Sequence, residues 1–102
     1  MINSEEEKLY ERVNEVFSED SQLCAAIEEM GELTVELSKI LNGKRNLSSE
    51  SFKLLDELVD VNIMIGQLVY NYGLKERFLD HKKYKMIVIK DKIKKWENKW
   101  DI

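Results

Sequence analysis

Apolar residues recur at alternating spacings of four and three along most of this chain, and no proline interrupts them. The clearest stripe consists of Leu23, Ile27, Met30, Thr34, Leu37 and Leu41. This spacing follows the period of an α-helix, whereas a half-buried strand would alternate at every second residue. Proline inside such a pattern would break the helix, so its absence lets the helices run long. The pattern predicts an all-α fold.

Capping residues divide the chain into four segments, predicted as helices over about 4–17, 19–41, 48–72 and 74–100. The predicted caps are Ser4 with Glu7 for the first helix, Ser18, Asp20 or Ser21 for the second, and Ser48 or Ser49 for the third; Asn42-Gly43 ends the second. With 102 residues, the chain is long enough for one domain, 1–102, with a small core. The sequence therefore predicts a single helical bundle.

The third segment is apolar on almost every side between Leu58 and Tyr70. A helix of this kind is buried on all its faces, so we expect it to be the most buried helix of the bundle. One chain of this length has few helices to cover the second apolar face, and this predicts at least a homodimer. That face consists of Val59, Ile63, Gly66 and Tyr70.

Two pairs of acids lie on consecutive segments. Glu29 and Glu32 are three residues apart on the second, and Glu57 and Asp60 are three apart on the third. This spacing puts both members of a pair on one side of a helix, where we expect them to flank a packing face. If the helices pack side by side, the four carboxylates converge and repel one another unless a cation lies between them. Magnesium is the usual occupant, because it prefers oxygen ligands and leaves positions open for phosphate.

Charge is unevenly distributed along the chain. Residues 1–60 hold 15 acids and 6 bases, a balance of −9, whereas residues 61–102 hold 5 acids and 10 bases, a balance of +5. The overall acidic balance argues against a nucleic-acid partner. A basic helix folded over an acidic metal site would supply contacts to phosphate, and the candidates are Lys53 and the lysines of the last helix, among them Lys92 and Lys95.

Three features bear on the cellular location. The single cysteine, Cys24, cannot form an internal disulfide, which fits a reducing compartment. No run approaches the roughly 18 apolar residues of a membrane span, and the acidic N-terminus is unlike a signal peptide. We therefore expect a cytoplasmic protein without membrane contact.

The sequence Glu28-Glu29-x-x-Glu32, followed after 24 residues by Glu57-x-x-Asp60, resembles the EExxE…ExxD signature of the MazG-like all-α nucleoside triphosphate pyrophosphohydrolases. Residues 22–27 resemble the family's helix entry, and residues 57–68 resemble its metal helix, most like short bacterial and phage members. Lys92-Ile93-Lys94-Lys95 resembles its basic closing helix. The resemblance covers about residues 18–96.

This resemblance implies a four-helix MazG-like bundle completed by oligomerisation, as a homodimer or homotetramer. It implies that Mg²⁺, or Mn²⁺ as a substitute, is held by Glu29, Glu32, Glu57 and Asp60. It also implies that Glu28 is an auxiliary acidic residue with a catalytic role near the attacking water. The implied reaction cleaves a nucleoside or deoxynucleoside triphosphate between its α and β phosphates, releasing monophosphate and pyrophosphate. The implied role is the removal of unwanted nucleotides from the cellular pool.

Two alternatives stay open. A phosphoribosyl-ATP pyrophosphohydrolase has a similar length and metal chemistry, but the glycine- and lysine-containing segment expected before its first motif is absent here. A non-catalytic helical interaction module needs no metal, and the complete set of four acids argues against it. A magnesium titration separates these classes, because an interaction module is indifferent to the metal.

Overall fold

The computed structural model describes residues 3–43 and 47–98, with side chains in the second range from residue 52 onwards. These residues form the helices α1 (Ser4–Val16), α2 (Glu19–Leu41), α3 (Leu47–Asn71) and α4 (Lys75–Asn98). No β-strand occurs in the described part of the chain. The prediction of an all-α protein with four helices is therefore confirmed. The helix ends agree with the predicted ones within two residues, except that the predicted end of the fourth helix, near residue 100, lies outside the described residues.

Side-chain caps start the first two helices. The Oδ1 atom of Asn3 accepts a hydrogen bond from the backbone N–H of Glu6 at 2.9 Å, so Asn3 caps α1 and the predicted cap Ser4 is already helical. The Oγ atom of Ser18 accepts from the backbone N–H of Ser21 at 3.1 Å, which confirms one of the predicted caps of α2. Each cap satisfies one N–H group that the first helical turn leaves without a partner.

Glycines follow the ends of α2 and α3. Gly43 has φ +81° and Gly73 has φ +63°, in the left-handed region that glycine enters at low cost. The predicted end of the second helix at Asn42-Gly43 is therefore confirmed. α3 already begins at Leu47, so the predicted caps Ser48 and Ser49 lie inside the helix, and their side chains are outside the described residues.

The chain divides into two compact units, Met1–Tyr72 and Gly73–Ile102. In the first unit, α2 packs along α3, and α1 packs on α3 over a shorter length. Gln22 near the start of α2 contacts Asn71 at the end of α3. Further along α2, Glu32 interacts with Glu57 in the first half of α3, so the two helices are antiparallel.

The face of α2 that packs on α3 is not its apolar stripe. Gln22, Ala26 and Glu36 are buried, whereas Ile27 and Leu41 of the stripe are 70% and 79% exposed. The acids lie beside this face: Glu29 is half-buried, Glu32 is exposed, and only Glu36 is buried. A second row of apolar residues lies on the acidic side of α2: Ala26 is buried, and Leu33 and Ile40 are half-buried.

α3 is less buried than its composition predicts. Gln67 and Val69 are buried, but Leu58, Val59 and Ile63 are between 43% and 48% exposed. Even so, 12 of the 20 residues of α3 whose side chains are described are buried or half-buried, against 9 of 23 in α2, so among the described residues α3 is the most buried helix, as expected. In its unit α3 contacts α1 and α2, and these two helices leave one of its apolar sides open.

α1 covers half of the second apolar face predicted on α3. A Cβ atom at Gly66 would clash with the hydroxyl group of Tyr10, so glycine allows the Tyr10 ring to lie against the helix. Tyr10 is only 4% exposed, and its ring centroid lies 5.9 Å from that of Tyr70. The Tyr70 hydroxyl donates to Glu11 of α1 at 2.9 Å. The remaining half of that face, at Val59 and Ile63, is half exposed.

α4 belongs to the second unit and presents a basic, amphipathic surface. Its residues are exposed apart from Leu79 and Val88, which are intermediate. The side chains of its apolar stripe are between 51% and 63% exposed: Met86, Ile89, Ile93 and Trp96. His81, which is also exposed, stacks on Tyr84 with ring centroids 5.9 Å apart.

Candidate functional site

Five carboxylates come together between α2 and α3, and we call them the acid cluster: Glu29, Glu32, Asp56, Glu57 and Asp60. One carboxylate oxygen from each of Glu29, Glu32 and Glu57 lies within 4.8 Å of the others. One from each of Asp56, Glu57 and Asp60 meets the same limit. Glu57 belongs to both groups and joins the acids of the two helices.

The antiparallel packing explains this convergence. On each helix a spacing of three residues directs two carboxylates to one side. Glu29 then interacts with Asp60, and Glu32 interacts with Glu57, so the two pairs meet across the contact between the helices. Glu36, one turn beyond Glu32, is buried and accepts a hydrogen bond from Lys39 on its own helix at 3.2 Å.

The acid cluster holds charge at an energetic cost. Burial raises the pKa of Glu29 above its ordinary value, and the negative charges of Glu32 and Asp60 raise it further. Burial also raises the pKa of Glu57, with Glu32 as the next contribution and Glu29 and Asp60 after it. Both causes disfavour the ionised form, so the arrangement as it stands favours binding of a proton or a cation.

Two buried oxygens of the acid cluster receive no hydrogen bond from the described residues: Oε2 of Glu29 and Oε2 of Glu57. A buried carboxylate oxygen normally has a donor or a cation beside it, because desolvation of an unsatisfied charge is costly. The donor set consists of hard carboxylate oxygens alone, which suits Mg²⁺ or Mn²⁺ better than softer metals. The residues present therefore fit a divalent cation.

Asp56 was not among the predicted ligands. It lies directly before Glu57 and four residues before Asp60, so a helical turn carries it to the same side of α3. That spacing was visible in the sequence, but the i, i+3 motif alone did not include it. Asp56 is exposed and lies at the margin of the acid cluster.

The other predicted site residues lie outside the acid cluster. Glu28 is exposed on α2, beside Glu29, and belongs to neither carboxylate group. Lys53 is exposed on α3, one turn before Glu57 and on the same side of the helix. Lys92 and Lys95 are exposed on α4 in the second unit. The roles of these four residues stay predictions.

An amide network, consisting of Asn14, Gln22, Gln67 and Asn71, joins the three helices of the first unit. The Nε2 atom of Gln22 donates to Oδ1 of Asn14 and to the carbonyl oxygen of Phe17, at 3.0 Å in both cases. The Nδ2 atom of Asn71 donates to Oε1 of Gln22 at 2.8 Å, and Nε2 of Gln67 donates to Oδ1 of Asn71 at 2.9 Å. Because Gln22 and Gln67 are buried, these bonds satisfy groups that would otherwise be costly.

A mostly apolar groove lies beside the amide network, and we call it the α1 groove. It encloses about 250 Å³ and is lined by Leu9, Tyr10, Val13, Phe17, Ser21, Gln22, Ala25, Ile63, Met64 and Gln67. The buried side chains of Tyr10, Gln22 and Gln67 line its inside, and the exposed side chains of Leu9 and Phe17 form part of its rim. The sequence analysis did not predict it, because α1 and the two longer helices form it together.

Fold and site together define an all-α protein with a carboxylate cluster between two antiparallel helices. Comparison with protein-family models, with curated proteins and with solved structures finds no match to this chain. None of the described helices carries an apolar stretch long enough to span a bilayer.

Proposed function

We propose that this protein hydrolyses a nucleoside triphosphate to the monophosphate and pyrophosphate, with Mg²⁺ or Mn²⁺ held by the acid cluster. The observation that carries the proposal is the pair of buried, unsatisfied oxygens on Glu29 and Glu57 among five convergent carboxylates. An array with no function in metal binding would have to relieve this repulsion by taking up protons. The resemblance of the two acidic motifs to the MazG-like pyrophosphohydrolases supports the same reaction.

The residues divide the work as follows in this proposal. Glu29, Glu32, Glu57 and Asp60 hold the cation, which when bound neutralises phosphate charge and acidifies a bound water. Glu28 is exposed beside Glu29 and takes the proton of the attacking water. Lys53, one turn from Glu57, stabilises charge on the pyrophosphate that leaves. Lys92 and Lys95 are further candidates for phosphate contacts.

The proposal includes a MazG-like bundle completed by a second copy of the chain. The apolar stripe of α2 supports this part, because its members carry no charge and all but the half-buried Leu23 are exposed: Leu23, Ile27, Met30, Thr34, Leu37 and Leu41. Of these, Ile27, Met30, Leu37 and Leu41 are 70%, 43%, 49% and 79% exposed, which is unusual for large apolar side chains along one stripe of a helix. A symmetric dimer buries such a surface without opposing like charges.

A pyrophosphate-release assay tests the reaction. The protein is incubated with the common ribonucleoside and deoxyribonucleoside triphosphates and with oxidised or methylated bases, with and without Mg²⁺. We expect monophosphate and pyrophosphate from at least one of them, and no turnover with a chelator. Release of orthophosphate instead would contradict cleavage between the α and β phosphates. Absence of both turnover and a magnesium effect on the melting temperature would favour the interaction module.

A further inference from the structure

The α1 groove and the acid cluster lie on the same side of the α2–α3 pair. Ala25 lines the groove and precedes Glu29 by four residues, and Met64 lines the groove and follows Asp60 by four. Residues four apart are neighbours on one helix face, about 6 Å apart along the axis. The groove therefore begins one helical turn from the carboxylates, on both helices at once.

The groove is suited to a flat aromatic group. Its volume of about 250 Å³ is below the ordinary range for a whole drug-sized ligand, and so fits a fragment of one. Tyr10 and Phe17 contribute aromatic side chains, and Leu9, Val13 and Ile63 contribute apolar ones. Aromatic walls favour stacking with a heterocycle, whatever the pattern of polar groups on its edge.

The amide N–H donors that line the groove are already engaged. Gln22 donates to Asn14 and to the backbone of Phe17, and Gln67 donates to Asn71 and, at 3.2 Å, to the carbonyl oxygen of Tyr10. These amide N–H donors would have to break bonds inside the protein to read the edge of a ligand. Such an exchange gains little, because a buried group left without its partner is costly.

From these observations we infer that the α1 groove binds the base of the nucleotide whose phosphates lie at the acid cluster, and selects it by shape and stacking rather than by hydrogen bonds. This inference rests on the proposed function for the identity of the ligand. One turn of helix between groove and carboxylates leaves room for the sugar. The chain therefore discriminates poorly between bases of equal size and strongly against a triphosphate without a base.

Calorimetric binding without turnover tests the inference. The probes are the α,β-methylene analogues of adenosine and inosine triphosphate, and inorganic tripolyphosphate, each with Mg²⁺. Adenine and hypoxanthine have nearly equal size but differ at the group on C6, where one donates and the other accepts. We expect the two analogues to bind within about threefold of each other and at least tenfold more tightly than tripolyphosphate, since tenfold corresponds to a modest stacking energy.

Two variants one residue apart provide the comparison. Ala25→Leu fills the groove and should reduce nucleotide affinity at least tenfold, to the level of tripolyphosphate, whose own affinity stays unchanged. Cys24→Leu adds the same side chain at an exposed position outside the groove lining and should bind like the wild type. If circular dichroism shows that Ala25→Leu does not fold, Phe17→Ala at the exposed rim replaces it, with the same expected loss for nucleotides alone.

The outcomes separate the groove from the reaction. Equal binding of nucleotides and tripolyphosphate, binding of neither, or an Ala25→Leu variant that retains the difference, overturns the groove assignment. A tenfold preference for one purine overturns selection by shape. Pyrophosphate release together with base-independent binding leaves the proposed function intact without the groove. Base-dependent binding without any turnover of the hydrolysable triphosphates would support the groove as the base site and contradict the proposed hydrolysis.

Discussion

Asp60 brings a charge into a helix that is otherwise apolar over most of its length, and the structure places it beside other acids. It lies within 4.8 Å of oxygens from Asp56 and Glu57, and it contributes to the raised pKa of Glu29. A carboxylate in such surroundings lowers the stability of the metal-free protein, because like charges repel and burial weakens their screening. A bound cation would compensate this cost, which makes Asp60 the most informative single residue to change.

The substitution Asp60→Asn should move activity and stability in opposite directions. It keeps size and hydrogen-bonding capacity but removes one charge from the acid cluster, so we expect pyrophosphate release to fall by orders of magnitude. The melting temperature of the metal-free variant should rise, because repulsion is relieved. Both quantities are measured on one preparation, with Asp80→Asn on α4 as the control. Wild-type activity in Asp60→Asn, or a lower melting temperature with normal turnover, would refute the assignment.

The acid cluster also predicts how stability depends on pH. The folded-state pKa values of Glu29 and Glu57 lie above the ordinary value of 4.5, so the folded protein binds more protons than the unfolded chain in the window from about 4.5 up to the raised values. The free energy of unfolding contributed by these groups therefore falls as pH rises through that window. Millimolar Mg²⁺ should oppose the fall, because it binds the ionised form.

Urea denaturation across this pH range, with and without Mg²⁺, measures the effect. Glu57→Gln should flatten the dependence in the absence of metal, whereas Asp91→Asn, at an exposed position on α4, should leave it unchanged. If the metal-free protein becomes steadily more stable as pH rises through the window, the acids are held by compensating interactions and the cation site is wrong.

At the residue scale the sequence predicted which carboxylates come together better than it predicted how they are buried. The spacing of Glu29, Glu32, Glu57 and Asp60 indicated their convergence, because a helix places residues three apart on one side. Asp56 is not part of the motif and was not predicted. Spacing along the sequence also does not show which carboxylate oxygens become buried without a hydrogen-bond donor. That depends on how closely α2 and α3 approach, which is a property of packing.

At the scale of the helices, the sequence predicted the elements and missed one packing face. The predicted segments agree with α1, α2 and α3 within two residues, although only Ser18 and Asn42-Gly43 act as the predicted end signals. The stripe of α2 had the better period, yet most of it is exposed, whereas Ala26 is buried and Leu33 and Ile40 are half-buried. A helix with two apolar rows has two candidate packing faces, and periodicity alone does not choose between them. Which of the two rows is buried depends on the contacts with the neighbouring helix.

Two glycines inside helices should respond in opposite ways to alanine. Nothing lies within 4 Å of a Cβ atom added at Gly31, so Gly31→Ala should stabilise the chain by about 1 kcal/mol through helix propensity. At Gly66 the same atom would clash with the Tyr10 hydroxyl and lie 3.1 Å from its ring carbon Cζ. Overpacking of this kind costs about 1–3 kcal/mol, which outweighs the gain in propensity.

Urea denaturation of both variants checks the pair. Tyr10→Phe removes the clashing hydroxyl, so Gly66→Ala should cost less in that background than in the wild type, and a double-mutant cycle measures the difference. Additive effects of the two changes would mean that Tyr10 does not lie against Gly66. A destabilising Gly31→Ala would mean that another surface covers the open side of α2.

For the molecule as a whole, the amount of exposed apolar surface is the main consequence of a short chain. The buried apolar residues in the described part are Tyr10, Ala26 and Val69. Large apolar side chains remain exposed on all four helices. The sequence indicated a shortage of covering helices through the apolar α3, but it assigned the open face to residues that α1 partly covers.

We predict a dimer at micromolar concentration that depends on the exposed stripe of α2. Ile27→Glu introduces a charge at a position that is 70% exposed, so the single chain tolerates it, but an apolar interface does not. Sedimentation equilibrium should give a dimer for the wild type and a monomer for Ile27→Glu, with unchanged helicity. Asn98→Glu adds the same charge on α4 as a control. A monomeric wild type, or an Ile27→Glu variant that still dimerises, would contradict this surface as the interface.

The amide network has a consequence for the way the first unit opens. Its members are uncharged at every ordinary pH, whereas about two helical turns further along the same two helices the side chains titrate. One end of the α2–α3 contact is thus indifferent to protons and cations, and the other responds to both. Local opening in the absence of metal should begin at the acidic end, so hydrogen exchange would show a gradient of protection along each helix. Adding magnesium should make the protection more even along each helix. The remaining difference in protection between the two ends would then report how much metal the protein has bound.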